Sequence, residues 1–112
     1  MEVLDIKQNL GENFVIARGG THHFRTPAAQ NHDHPFVIVK SNQQPTISHP
    51  ISHATATLVG QLCTPKDVMS RNQHIDQVDI GDYVVFILAG AYAWNISHQN
   101  FLMHEPPVFH YF

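Results

Sequence analysis

Gly60-Gln61-Leu62-Cys63-Thr64-Pro65-Lys66-Asp67, followed by Gly81-Asp82-Tyr83-Val84-Val85-Phe86-Ile87-Leu88-Ala89-Gly90-Ala91-Tyr92, sets a lone thiol at the end of one apolar strand and a tyrosine just past another. Upstream of the first stretch, Ala54-Thr55-Ala56-Thr57-Leu58-Val59 alternates small and β-branched residues, the pattern of a strand that ends at Gly60. Thr64 can cap a helix and Pro65 occupies a first-turn position that tolerates proline, so the spacing predicts about two turns of helix running to Met69. Asp79-Ile80-Gly81-Asp82 reads as a turn that feeds the strongest strand, Tyr83 to Leu88.

Moving outward, Val3 to Lys7 and Phe14-Val15-Ile16-Ala17 flank Asn9-Leu10-Gly11-Glu12-Asn13. This is a hairpin pattern, with Gly11 free to take the positive φ of a tight turn. Gly19-Gly20 then breaks the strand. Residues 21–35 carry His22, His23, His32 and His34 with little periodicity and read as a long loop, a length at which function is more common than in short connectors. Phe36 to Lys40 is a short β-branched run, and Phe109-His110-Tyr111-Phe112 reads as a last strand that docks on another surface. No helical periodicity extends beyond about 8 residues, so the domain is read as mostly β.

A chain of 112 residues has room for one ordinary domain with a single modest core. Apolar residues make up 43% of it and charged residues only 13%, a surface better suited to an interface than to a free monomer. Net charge is -3 and the basic residues are scattered, so nothing tracks a phosphate backbone and nucleic acid is not expected as a partner. There is no charged-then-apolar leader and no apolar run near the ~20 residues of a membrane helix. With a single unpaired cysteine, the expectation is a cytoplasmic protein.

A thiol can donate a proton to a carbanion or attack as thiolate, and either use needs local control of its acidity. Lys66 and the N–H groups of the predicted helix start would favour the thiolate of Cys63. The plainer reading is a small buried hydrophobe. Likewise Asp67 reads equally well as a solvated carboxylate at a helix start. Tyr92, behind the slim backbone of Ala89-Gly90-Ala91, can present a phenol donor with little entropy cost, or be an ordinary strand-end tyrosine.

The order of cysteine, short helix, Gly-Asp turn, apolar strand and Gly-Ala-Tyr over Gly60 to Tyr92 resembles the carboxy-terminal domain of the alanine-racemase-like (fold-type III) pyridoxal-phosphate decarboxylases, the ornithine and diaminopimelate decarboxylase family. The Val3-x-Asp5-x-Lys7 strand, the hairpin and the Gly19-Gly20 break fit the same pattern, and Ala93 to Phe112 looks most like the branch that decarboxylates citrate-linked intermediates in siderophore assembly.

The resemblance implies an all-β Greek-key barrel or sandwich with one short helix after Cys63, one domain spanning residues 1–112. It further implies a site between two subunits of a homodimer, in which Cys63 protonates the α-carbon of an amino-acid-like substrate in the partner's site. Tyr92 would bind the phosphate of pyridoxal 5'-phosphate on its own subunit. The cofactor's Schiff-base lysine and glycine-rich phosphate loop would lie in an amino-terminal α/β barrel outside these residues. Asp67 matches a family aspartate near the substrate. Arg25 lies one place from the family arginine, because Thr26 occupies that position, and can still reach a substrate carboxylate. Thr64 stands where the family places an acid that meets the substrate's distal amine; losing such a charge-assisted bond costs ~1.5 to 3 kcal/mol and argues against ornithine, lysine or diaminopimelate.

The ten histidines, with His22-His23 and His32-x-His34 in one loop, invite a competing class, a small cupin-like metal-binding barrel. The cupin pattern wants a Glu soon after His-x-His, and His34 is followed by Pro35-Phe36-Val37-Ile38-Val39-Lys40. No metal ligand set is therefore assigned. A third reading is a non-catalytic interaction module that keeps the fold without the chemistry.

Overall fold

Leu10 and Gly11 set the first turn, with positive φ of 51° and 82°, the left-handed pair that a tight hairpin needs. The strands it joins, β1 (Val3–Asn9) and β2 (Glu12–Ala17), pair antiparallel from Asn9↔Glu12 back to Val3↔Ala17, as the sequence predicts. The computed structural model describes residues 1–112. The chain then leaves the sheet through α1 (Thr26–Gln30) and β3 (Phe36–Val39) before returning as β4 (Ile51–Val59). β4 lies parallel to β2, which is why so long a crossover separates them.

β5 (Val68–Val78) pairs antiparallel with β4 and completes a four-stranded sheet in the order β1-β2-β4-β5. β6 (Tyr83–Phe86) pairs instead with β3 in a two-stranded sheet. A six-residue helix, α2 (Gly90–Asn95), follows. One buried cluster spans both sheets: Val3, Val15, Ala56, Leu58 and Ile75 of the larger one meet Val84 of β6. Full burial of such side chains stabilises by roughly 1.5–3 kcal/mol each. A smaller cluster of Ala17, Phe24, Met69 and Ala93 sits where the loops gather.

The chain is mostly sheet with few helices, as expected, but the two sheets do not close into a barrel. Four further expectations are corrected. No helix follows Cys63: residues 61–66 run as bends and a turn, Asp67 N–H bonds Thr64 O at 3.1 Å, and Val68 and Met69 already belong to β5. The reason is Asp67, whose side chain is drawn inward by backbone donors rather than pointing outward from a helix start. The loop over 21–35 contains the helix α1. The strand from Tyr83 stops at Phe86, so Gly90-Ala91-Tyr92 opens α2 instead of closing a strand. Phe109 to Phe112 form no strand; Phe109 rests on Trp94 at 5.7 Å between ring centroids while Tyr111 and Phe112 are exposed.

Candidate functional site

Asp67 is the knot of this region. It is 2% exposed, and its two carboxylate oxygens accept from Thr21 N–H at 2.7 Å and Leu62 N–H at 2.8 Å. Gly20 and Gly60 make this approach possible. A Cβ on Gly60 would lie 2.5 Å from the Gly20 Cα, and one on either glycine would strike the Asp67 carboxylate. Hydrogen bonds to a charged acceptor contribute about 1.5–3 kcal/mol each. The carboxylate thus staples the Gly19–Arg25 segment to the 61–66 loop and leaves Cys63 free and exposed.

Arg25 joins the third segment. Its backbone N–H bonds Ala93 O at 3.2 Å, and its guanidinium Nη1 donates to Ile96 O at 3.1 Å. Ala93, buried under Phe24 and Met69, anchors α2 to the same cluster. Three segments that carry Arg25, Cys63 with Thr64, and Tyr92 are therefore held in one end of the molecule by backbone and carboxylate bonds.

A cleft of about 590 Å³ opens there, walled by Arg25, Thr64, Lys66, Arg71 and His98 among others. It gathers three of the chain's six Lys and Arg residues, and no Asp or Glu lines it. In a chain of net charge -3 this is a marked segregation of positive charge. Low-dielectric walls lined by one sign of charge focus the field on a ligand of the other. Thr64 lies in the wall and brings no charge of its own.

The residues of this end also bear on whether a phosphate-bearing cofactor fits. Tyr92 is 60% exposed on α2, and Gly90 beside it has open space where a Cβ would stand. On the Gly19–Arg25 side, the buried His22 ring nitrogens and the hydroxyl of Thr26 have no partner within the chain. An accessible phenol next to a slim backbone can donate to a phosphate oxygen, so Tyr92 fits such a group in its chemistry.

Of the loop histidines that invited a metal reading, His34 is used structurally. His34 is buried, its Nε2 meets Ile87 O at 2.7 Å, and its carbonyl accepts from Ser70 Oγ at 2.7 Å. His22 packs on His23 at 3.8 Å between centroids, and burial, then repulsion from His23 and His104, pulls its pKa down to about 4. Sequence reasoning missed Lys66 as a wall of the cleft and Arg71 altogether. Arg71 became visible only once β5 ran past the 61–66 loop.

The fold is a sheet-rich domain of two sheets with a positively lined cleft at one end. Residues 1–90 match the family described as "pyridoxal-dependent decarboxylase, C-terminal sheet domain", and the chain belongs to that family. It is 50% identical over 112 residues to a 2-[(L-alanin-3-ylcarbamoyl)methyl]-2-hydroxybutanedioate decarboxylase of Staphylococcus aureus strain NCTC 8325, covering 98% of the chain and 28% of that protein. To an L-glutamyl-[BtrI acyl-carrier protein] decarboxylase of Niallia circulans it is 33% identical over 113 residues, covering 96% of the chain and 25% of the relative. Among solved structures, diaminopimelate decarboxylase from M. jannaschii in complex with L-lysine shares the fold, with a TM-score of 0.72 at 24% identity over 90% of this chain and 21% of that one. Family membership displaces the cupin reading. The chain spans about a quarter of the length of the relatives it matches.

Proposed function

We propose that this chain is the carboxy-terminal domain of a cytoplasmic, homodimeric pyridoxal-phosphate decarboxylase, completed by an amino-terminal α/β barrel of the same polypeptide. In this reading its two sheets form the layers of a sandwich. When bound, the cofactor supplies an electron sink for the pair released as the carboxylate leaves. The residues of this chain do the rest. Tyr92 donates its hydroxyl proton in a hydrogen bond to the phosphate and holds it in place. Cys63, at an exposed loop tip, gives its S–H proton to the α-carbon from which carbon dioxide has departed, and recovers a proton from solvent. Asp67 works as a positioning residue, because both its oxygens are already engaged with backbone N–H groups.

The observation that carries the substrate reading is the cleft with Arg25, Lys66 and Arg71 and no carboxylate. It suits a substrate whose end remote from the reacting carbon carries carboxylates, and it opposes a cationic tail. The Staphylococcus aureus relative, named for a hydroxybutanedioate substrate, supports the same class. The test is carbon dioxide release by the full-length gene product loaded with pyridoxal phosphate. A butanedioate-bearing amino acid should exceed lysine, ornithine and diaminopimelate in kcat/KM by at least ~10-fold, the value of one charge-assisted bond. A preference for the diamino acids would overturn the substrate reading.

A further inference from the structure

On the solvent face of the β4–β5 pair, away from the cleft, two imidazoles converge on one carboxylate. The register sets Ser52 opposite Gln77 and Ala54 opposite Ile75, so His53 faces Asp76 directly across the ladder. His74 precedes Asp76 by two residues and therefore shares its face of the strand. His74 Nε2 lies 3.1 Å and His53 Nδ1 3.9 Å from Asp76 Oδ1. All three donor atoms fall within 4.8 Å of one another.

We propose that His53, His74 and Asp76 form a surface site for a divalent transition-metal ion that clasps β4 to β5. The geometry is close to what such an ion requires. With bonds of about 2.0–2.1 Å, a tetrahedral zinc ion holds its ligand atoms about 3.3 Å apart. The two measured separations lie on either side of that value. The side chains are 64–85% exposed, so small rotamer adjustments can bring the third pair in and solvent can fill the remaining positions. Two imidazoles with one carboxylate form a donor set suited to Zn2+, Ni2+ or Cu2+ rather than to Mg2+ or Ca2+, which take oxygen ligands. The ligands come from both strands of an antiparallel pair, so binding adds a cross-strand tie that neither strand provides alone.

The experiment uses the full-length gene product, freed of metal with a chelator and titrated with Zn2+ by calorimetry. It compares wild type with His53→Ala, His74→Ala and Asp76→Asn. Wild type should bind one more equivalent than the double variant His53→Ala/His74→Ala. Each single variant should bind at that site at least ~10-fold more weakly, because loss of even an outer-sphere partner weakens metal sites about 10–100-fold. Zinc should also raise the melting temperature of wild type by about 2–4 °C and leave the double variant unmoved. Equal melting temperatures without metal would confirm that the variants fold. Equal stoichiometry and affinity in wild type and double variant would overturn the proposal, as would loss of the equivalent in His74→Ala but not in His53→Ala.

Discussion

Cys63 and Tyr92 make separable demands on the proposed chemistry, and substitution separates them. Removing a positioned general acid costs about 10²–10⁴-fold in rate, so Cys63→Ala in the full-length enzyme should lower kcat steeply while cofactor retention stays near wild type. Tyr92→Phe deletes one hydrogen bond to a charged acceptor, about 1.5–3 kcal/mol. It should weaken cofactor binding by ~10–100-fold in equilibrium dialysis and affect kcat much less at saturating cofactor. If both variants match wild type in both readouts, the two assignments fail together. Asp67 has a different signature. Asp67→Ala strips the acceptor from two amide groups held at the junction of Gly20 and Gly60, and each orphaned N–H costs about 1–3 kcal/mol. Denaturant unfolding should show a loss of roughly 2–5 kcal/mol, and Asp67→Asn, which keeps one acceptor oxygen, should lose less; no change in either would refute the staple. At this scale the sequence speaks through residue type: the Gly-x-x-Cys spacing and the Gly-Ala-Tyr tripeptide nominate Cys63 and Tyr92 as the candidates these variants test. The burial of Asp67 is not legible, because it depends on donors from a segment 46 residues away.

Elements show why some of the fold was hidden. β5 is the longest strand, at 11 residues, yet it lacks a period-2 pattern. Between Ala56↔Gln73 and Leu58↔Ser70 it carries one more residue than β4, and Asn72 there takes a φ of 52°. Such a bulge changes which side chains face inward, and a second shift between Leu58↔Ser70 and Val59↔Val68 leaves Met69 extra, so the adjacent Met69 and Ser70 are both buried. The hairpin at Gly11 and the turn at Gly81 were readable because a positive φ calls for glycine. The Gly19–Arg25 segment carries its own pH dependence. His22 is 2% exposed, and burial, followed by repulsion from His23 and His104, lowers its pKa from 6.5 to about 4. Between those values the unfolded chain holds a proton that the folded chain rejects. The stabilisation is therefore complete above pH 6.5 and is lost progressively as the pH falls towards 4, by an amount of order 3 kcal/mol. Urea unfolding of the full-length protein at pH 7 and pH 4.5 should show this loss, and His22→Phe should flatten it. An unchanged slope in the variant would place the acid sensitivity elsewhere.

Across the whole molecule, apolar surface collects where this chain would meet others. Val37, Val39, Tyr83 and Val85 of the small sheet are 41–48% exposed, and Val108, Phe109, Tyr111 and Phe112 at the carboxy end are more exposed still. Patches of this kind mark interfaces, which supports the proposed docking on a barrel and on a second subunit. If Cys63 serves the partner's site while Tyr92 serves its own, one functional unit draws on two chains, and subunits with different defects should complement. Cys63→Ala homodimers lack the proton donor at both sites. Homodimers lacking the barrel's cofactor-binding lysine lack cofactor attachment at both. When the two inactive proteins are unfolded together and reassembled at equal amounts, half of the dimers are mixed. In a mixed dimer the intact Cys63 comes from the lysine-deficient chain and meets the intact lysine of the other chain, so one site of the two is whole. Activity should return to roughly a quarter of wild type from symmetry alone. A site built within a single subunit gives no recovery in the same experiment, because each chain would then carry its own lesion wherever it was paired.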